Sequence, residues 1–322
     1  MSAHSSESEP TAALLVSRRA SLTSEVILLE LRHPEGRELP AWSPGSHIDL
    51  LLPDEMVRQY SLCGDPADAT TWTVAVFLEP EGRGGSAYIH RSLQEGTTVR
   101  TRGPRNHFAF GSGKRVLFIG GGIGITPLIP MMAEATERGL DWELHYGGRS
   151  RTTMAFADDL LTRFGSDRVH LIPQDERGLI DLETLIGTPR TDTTIYCCGP
   201  APLLDAVETR CAAWPTDALH IERFTAKAVD DDQNTSFEIE LSATGVTLTV
   251  PQDRSILDVL DDQDVPVPSS CRDGTCGTCE TMVLEGVPEH RDSVLSPSEQ
   301  ESNETMMVCV SRSRTPRLVL DL

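Results

Sequence analysis

The chain of 322 residues is 39% hydrophobic and 24% charged, the balance of a soluble globular protein with enough length for two or three cores. Its formal net charge of -21 excludes a general binder of nucleic acid or anionic membrane, since polyanions repel one another. That charge leaves two readings open: simple solubility, and a docking face for a basic partner.

The opening stretch, MSAHSSESEP, is polar and acidic; it predicts a disordered tail over 1–10 and shows no secretory signal. The most apolar stretch, RVLFIGGGIGITPLIPMM, is too interrupted by Gly and Pro for a membrane span. A cytoplasmic protein is expected, whose eight cysteines serve as ligands or buried thiols rather than disulfides.

Residues 11–111 carry short β-rich runs, EVILLELRH, HIDLLLP, WTVAVFLE and TTVRTRG, separated by turn residues. Strands at this spacing predict a small antiparallel β-barrel. One helical segment, SAYIHRSLQEG, interrupts them and ends at Gly96. Before that helix, RQYSLCG (58–64) reads plainly as a strand with an arginine near its start. GRGGSAYIH then places Gly84, Gly85 and Ser86 ahead of the helix, where free N–H groups and the positive dipole end favour a phosphate. Arg58 and Arg83 suit its neutralisation, and Tyr60 suits a flat ring. His47 and His107 read as structural histidines.

Residues 112–226 alternate strand and helix. RVLFIGG, DWELHYGG, RVHLIPQ and TTIYCCGP read as strands, and PLIPMMAEATERG, AFADDLLTRFG and APLLDAVETRCAAW as helices. The alternation predicts a parallel sheet covered on both faces. FIGGGIGITP sets Gly120, Gly122 and Gly124 between a strand and a helix, as a phosphate-binding turn requires, although close strand–helix packing explains the same glycines. Cys197 and Cys198 are adjacent, a poor geometry for a disulfide, and are expected on opposite faces of their strand. Arg149 and Arg151 suit a 2′-phosphate, an adenine ribose or solvent.

The acidic, aperiodic segment around 227–234 predicts a linker. Residues 235–322 read as a small α+β unit: strands FEIELSA, VTLTV, ETMVLEG and PRLVLDL, with a helix SILDVLDDQ. Here CRDGTCGTC sets Cys271, Cys276 and Cys279 in a C-x4-C-x2-C loop, and Cys309 follows. Gly274 and Gly277 let backbone N–H groups approach a bound cluster closely. The spacing matches the plant-type ligand set of a [2Fe-2S] centre. Structural zinc would more often show two C-x2-C pairs.

The last unit resembles a plant-type ferredoxin domain. R-x-Y-S followed by R-G-G-S and GPRNHF resembles the flavin domain of ferredoxin-reductase-like proteins. The order flavin, nicotinamide, ferredoxin resembles the phthalate dioxygenase reductase and vanillate O-demethylase reductase family over nearly the whole chain. The resemblance implies an FMN-binding β-barrel domain over 11–111, an NAD-binding α/β domain over 112–226 and a [2Fe-2S] ferredoxin domain over 235–322. It implies flavin contacts from Arg58, Tyr60 and Ser61, phosphate contacts from Arg83, Gly85 and Ser86, and a flavin-stacking Phe224. It further implies a nicotinamide site from Thr126, Pro127, Gly199 and Pro200, with Cys198 at the hydride-transfer position, and NADH as the donor. The implied activity is an NADH-dependent reductase that feeds a partner oxygenase, Rieske-type or cytochrome P450, and works as a monomer. A stand-alone quinone reductase and an iron–sulfur redox sensor are the alternatives; a sensor would need only one of the three motifs.

Overall fold

A computed structural model describes residues 11–111, 113–227 and 234–322. The expected tail over 1–10 and the linker residues 228–233 lie outside the described residues. The chain divides into two compact units, 1–221 and 222–322.

The first unit begins with six antiparallel strands: β1 (Thr11–Ser21), β2 (Val26–Arg32), β3 (His47–Leu51), β4 (Val57–Ser61), β5 (Trp72–Phe77) and β6 (Thr98–Arg105). Their order is β4-β3-β6-β1-β2-β5. A bridge from Leu62 to Val74 joins the two ends and closes the barrel. Period-two alternation drives this closure. Leu14 and Val16 of β1, Leu29 and Leu31 of β2, Ile48 and Leu50 of β3, and Val74 and Val76 of β5 all point inward and are buried. Each such side chain contributes roughly 1.5–3 kcal/mol. Strand β1, the longest in the barrel, was not among the sequence-predicted strands. Its sequence TAALLVSRRAS carries two arginines and breaks register between Val16 and Arg18, which masks the alternation. Helix α1 (Gly85–Ser92) lies between β5 and β6 and buries Ile89.

Strands β7 (Arg115–Gly121), β8 (Asp141–Gly148), β9 (Val169–Pro173), β10 (Thr193–Cys198) and β11 (Leu219–Glu222) follow, ordered β11-β10-β7-β8-β9. The pairs β10–β7, β7–β8 and β8–β9 are parallel. Helices α2 (Leu128–Glu137), α3 (Ala157–Phe164), α4 (Gln174–Arg177), α5 (Leu182–Ile186) and α6 (Ala201–Cys211) connect them. Phe118, Leu144 and Tyr146 pack on one face with Leu128, Met131 and Leu160; Leu117, Ile119 and Ile195 pack on the other with Leu204 and Val207. Burial on both faces explains why β7 reads as an unbroken apolar run. The first of these clusters also takes in Val26, Cys63, Ala75 and Phe108 of the barrel. Tyr196 Oη accepts a 2.7 Å hydrogen bond from Gly111 N, and Arg149 pairs with Glu25. One hydrophobic cluster thus joins the two sheets, beside the barrel's own interior.

The second unit holds β12 (Phe237–Leu241), β13 (Val246–Val250), α7 (Ile256–Asp262), β14 (Glu280–Glu285), β15 (Pro288–Glu289), α8 (Pro297–Ser302), β16 (Thr305–Met307), β17 (Arg312–Ser313) and β18 (Arg317–Leu320). The main sheet runs β13-β12-β18-β14-β16, and β15 pairs with β17. Ser255 caps α7, accepting from Asp258 N while Asp258 accepts from Ser255 N, a reciprocal cap that satisfies two orphan donors. Ile256, Leu257 and Leu260 of α7 pack on Phe237, Ile239 and Leu318.

Candidate functional site

At the barrel edge, β3 and β4 pair with Leu50 opposite Arg58, Ile48 opposite Tyr60 and His47 opposite Ser61. Arg58 and Tyr60, two residues apart, project to one face, and Ser61 projects to the other and is buried. Arg58 Nη2 donates to the Arg83 carbonyl at 3.2 Å, which ties R-x-Y-S to the R-G-G-S turn. Gly84 adopts a left-handed φ of 82° as the cap of α1. A Cβ at Gly85 would lie 2.4 Å from Arg58 Nε, so any larger residue there would displace the Arg58 side chain from its place across the helix start. Ser86 Oγ accepts from Glu79 N at 3.0 Å. Arg83 is exposed. Burial raises the Tyr60 phenol above its ordinary value despite nearby Arg58, so its hydroxyl stays protonated. The structure therefore gathers Arg58, Arg83, Gly85 and Ser86 around the first turn of α1, a set of donors fitted to a phosphate.

Sequence reading missed what holds this edge in place. Asp49 of β3 is fully buried. It accepts from Arg102 Nε at 2.8 Å, from Arg105 Nη2 at 2.5 Å and from Gln59 Nε2 at 3.2 Å. Burial by itself would raise this carboxyl, but the Arg105 and Arg102 guanidiniums outweigh it and hold it below the ordinary value. Three strands are thereby fastened beneath Arg58 and Tyr60. The GPRNHF segment is fixed by Asn106, whose Nδ2 donates to Ser43 Oγ at 2.8 Å and whose Oδ1 accepts from Phe108 N at 2.9 Å. His47 is buried and its ring lies 6.1 Å from that of His107.

In the parallel sheet, β7 ends in the glycine turn. Gly122 has a φ of +55° and open space beside it. A Cβ at Gly124 would lie 2.4 Å from the Cys198 carbonyl oxygen. The turn after β7 and the C-G-P end of β10 are thus in backbone contact, bringing Gly120, Gly122, Gly124, Cys198, Gly199 and Pro200 together at the carboxyl ends of adjacent strands. That is where open α/β sheets bind ligands. Gly121 belongs to the same contact, since a Cβ there would lie 2.7 Å from Pro200 Cδ; a run of three glycines does not reveal which of them makes the approach. Thr126 is buried and its hydroxyl donates to the Ile123 carbonyl at 3.0 Å. Pro127 caps α2. Cys197 and Cys198 fall in separate clusters on the two sheet faces. Arg149 pairs with Glu25 and Arg151 with Asp158, so each already has a carboxylate partner. Cys63 is buried, its thiol pushed up to about 12 by burial.

In the second unit the four cysteines come together. The Cys271 thiol lies close enough to those of Cys276 and Cys309 for their titrations to depend on one another, and the Cys279 thiol stands in the same relation to that of Cys309. None forms a disulfide. Proximity of Cys276 and Cys309 lowers the Cys271 thiol and proximity of Cys309 lowers Cys279, while Cys276 and Cys309 rise in consequence. Backbone N–H groups of Asp273 and Thr275 point at Cys271 Sγ from 3.3 and 3.4 Å, the arrangement that stabilises a thiolate ligand. Gly274 has a φ of +69°, and a Cβ there would meet Val310 Cγ2 at 2.6 Å. Arg272 anchors the loop to α7 through Asp258 at 3.2 Å and Asp261 at 2.5 Å; this anchor was not anticipated from sequence. Four convergent thiols with amide donors fit an iron–sulfur cluster. Phe224, the proposed stacking residue, follows β11 and is exposed.

Residues 239–314 match the 2Fe-2S iron-sulfur cluster binding domain, a span that encloses all four cysteines. The chain is 42% identical over 300 residues to the phenoxybenzoate dioxygenase subunit beta of Ectopseudomonas oleovorans, covering 92% of this chain and 93% of that protein. It superimposes on phthalate dioxygenase reductase, described as a modular structure for electron transfer from pyridine nucleotides to [2Fe-2S], with a TM-score of 0.70 and 34% identity over 97% of this chain and 98% of that one. It also matches an intact type IV self-sufficient cytochrome P450 monooxygenase, with a TM-score of 0.91 and 43% identity over 97% of this chain; it spans 41% of that longer protein. The chain belongs to the phthalate dioxygenase reductase and vanillate O-demethylase reductase family.

Proposed function

We propose that this chain is the NADH-dependent reductase component of an oxygenase system. It would hold FMN and one [2Fe-2S] cluster and deliver electrons to a separate oxygenase, either a Rieske-type aromatic or demethylating enzyme or a cytochrome P450. The meeting of Cys271, Cys276, Cys279 and Cys309 carries the proposal. Relatives named as reductase subunits of oxygenase systems, matched over nearly their whole length, support the choice of acceptor.

The proposed division is an FMN domain over 11–111, an NAD domain over 112–226 and a ferredoxin domain over 235–322. When bound, the flavin supplies the conversion between hydride chemistry at the nicotinamide and single-electron chemistry at the cluster. The chain supplies placement. Arg58, Arg83, Gly85 and Ser86 bind the flavin phosphate at the α1 start, Tyr60 and Ser61 hold the rest of the flavin, and Phe224 covers its ring. Gly120, Gly122 and Gly124 accept the dinucleotide phosphates beside Thr126 and Pro127. Cys198, Gly199 and Pro200 border the nicotinamide ring and set its approach. No helix among the described residues is long and apolar enough to cross a membrane; a monomeric cytoplasmic protein completes the proposal.

Purified protein, reconstituted anaerobically, is expected to show flavin and iron–sulfur absorption that NADH bleaches. Absence of both bands would overturn the assignment. Arg58→Ala is expected to lower FMN content at purification severalfold, because the turn loses both a phosphate partner and its tie to the Arg83 carbonyl; FMN release after denaturation measures it, and full retention removes Arg58 from the phosphate site. Cys198→Ala is expected to slow flavin reduction by NADH about tenfold to a hundredfold, the usual cost of a misplaced reactant, with FMN content unchanged. Stopped-flow reduction at an unaltered rate would reduce Cys198 to a packing role.

A further inference from the structure

The parallel sheet carries a polar cluster that none of the redox sites uses. Glu143 and His145 lie two residues apart on β8 and share a face. His170 of β9 sits directly across from His145 in register. The inward face of β8 is filled by Trp142, Leu144 and Tyr146, so these three polar side chains occupy the opposite face, beside the edge strand.

Their geometry is convergent. Glu143 Oε2 lies 3.4 Å from His145 Nε2 and 3.7 Å from His170 Nε2. All three ligand atoms fall within 4.8 Å of one another. A tetrahedral ion with ligands at about 2.0–2.1 Å needs ligand atoms about 3.3 Å apart; the two Glu143 contacts are near that spacing already, and rotation of the two imidazoles toward each other would close the remaining gap to complete one face of a coordination tetrahedron. The fourth vertex would be left to water, because His170 is 37% exposed. Arg115 Nη2 donates to the other carboxylate oxygen, Glu143 Oε1, at 3.1 Å. That bond turns Oε2 toward the imidazoles, the way an outer partner orients a ligating carboxylate. The donor set, two imidazoles and one carboxylate, selects a borderline transition ion over calcium or magnesium.

We propose that Glu143, His145 and His170 form a binding site for a divalent transition-metal ion of the zinc type, separate from the iron–sulfur centre. The bound ion ties the edge strand β9 to β8. The site is independent of the redox assignment, since it lies on other residues and needs no electron transfer.

The test is zinc titration of the cluster-loaded, flavin-loaded full chain by calorimetry, with visible absorption followed in parallel. One zinc per chain is expected, with flavin and cluster absorption unchanged and a rise in the unfolding temperature of the first unit. His170→Gln, on the half-exposed edge strand, and His145→Asn are each expected to weaken binding at least about tenfold. Arg115→Gln leaves all three ligands in place but frees the Glu143 carboxylate from its orienting partner, and is expected to weaken binding less than loss of either histidine. Circular dichroism and flavin content verify that each variant is folded, and His170→Gln stands as the decisive variant if His145→Asn is not. No stoichiometric zinc uptake overturns the proposal. So does uptake that persists undiminished in His170→Gln, or uptake that proceeds with loss of cluster absorption, which would assign the ion to the cysteines.

Discussion

Cys276→Ser is expected to yield a folded flavoprotein without iron–sulfur absorption. NADH-driven reduction of a two-electron dye should persist near the native rate, while electron delivery to the oxygenase falls by about two orders of magnitude or more, because only the cluster supplies the one-electron exit. Cys276 is buried beside Thr278, whose hydroxyl lies 3.2 Å from its sulfur. An alcohol at this position is a hard donor that stays protonated, and it replaces a thiolate poorly. The loop itself should survive, since Arg272 ties it to α7 and Ser293 N donates to the Gly274 carbonyl at 2.9 Å. Iron and sulfide analysis with parallel dye and oxygenase assays reads the result. Loss of dye reduction alongside the cluster would show that flavin and cluster chemistry are not housed separately.

Asp49→Asn is expected to destabilise the first unit by about 3 kcal/mol or more, the usual consequence of removing one partner from a buried ion pair. The amide keeps the shape of the side chain but leaves two guanidiniums without their countercharge; the side chains of Arg105 and Arg102 are only 8% and 21% exposed. In a unit of this size that loss lowers the unfolding temperature by roughly 6–12 °C. The pH dependence has a defined sign. The folded carboxyl titrates below its ordinary value of 3.8, so its contribution is complete above that value and is lost as pH falls through the lower, folded value. The gap between native protein and variant should therefore hold from neutral pH down to about pH 5 and close under stronger acid. Scanning calorimetry at a series of pH values measures it, and a gap that stays open at low pH would remove the ion pair as the cause.

The sheets, the cysteine loop and the two glycine turns were legible in the sequence because each rests on neighbours in the chain. Alternation along β2, β3 and β5, the apolar run of β7 and the C-x4-C-x2-C spacing are all local patterns. Strand β1 escaped because its bulge and arginines break period two, and α4, α5 and α8 escaped because four to six residues show too little periodicity. The Asp49 network draws on residues 49, 59, 102 and 105, and the Glu143–His145–His170 cluster on two strands. No spacing rule joins such positions; only strand register does. Gly121 was hidden for the opposite reason, standing among glycines that look alike until the backbone of Gly199 is set against it.

The hydrophobic cluster in which Val26, Cys63, Ala75 and Phe108 lie with Phe118, Leu128 and Tyr146 has a bearing on how such chains can be recombined. A graft or truncation made between 111 and 112 would lay bare apolar surface on both fragments and invite aggregation. The segment from 222 onward keeps an interior of its own around Ile239, Leu257 and Leu318. An engineered exchange in this chain therefore has its natural joint near residue 222, between two separately filled interiors.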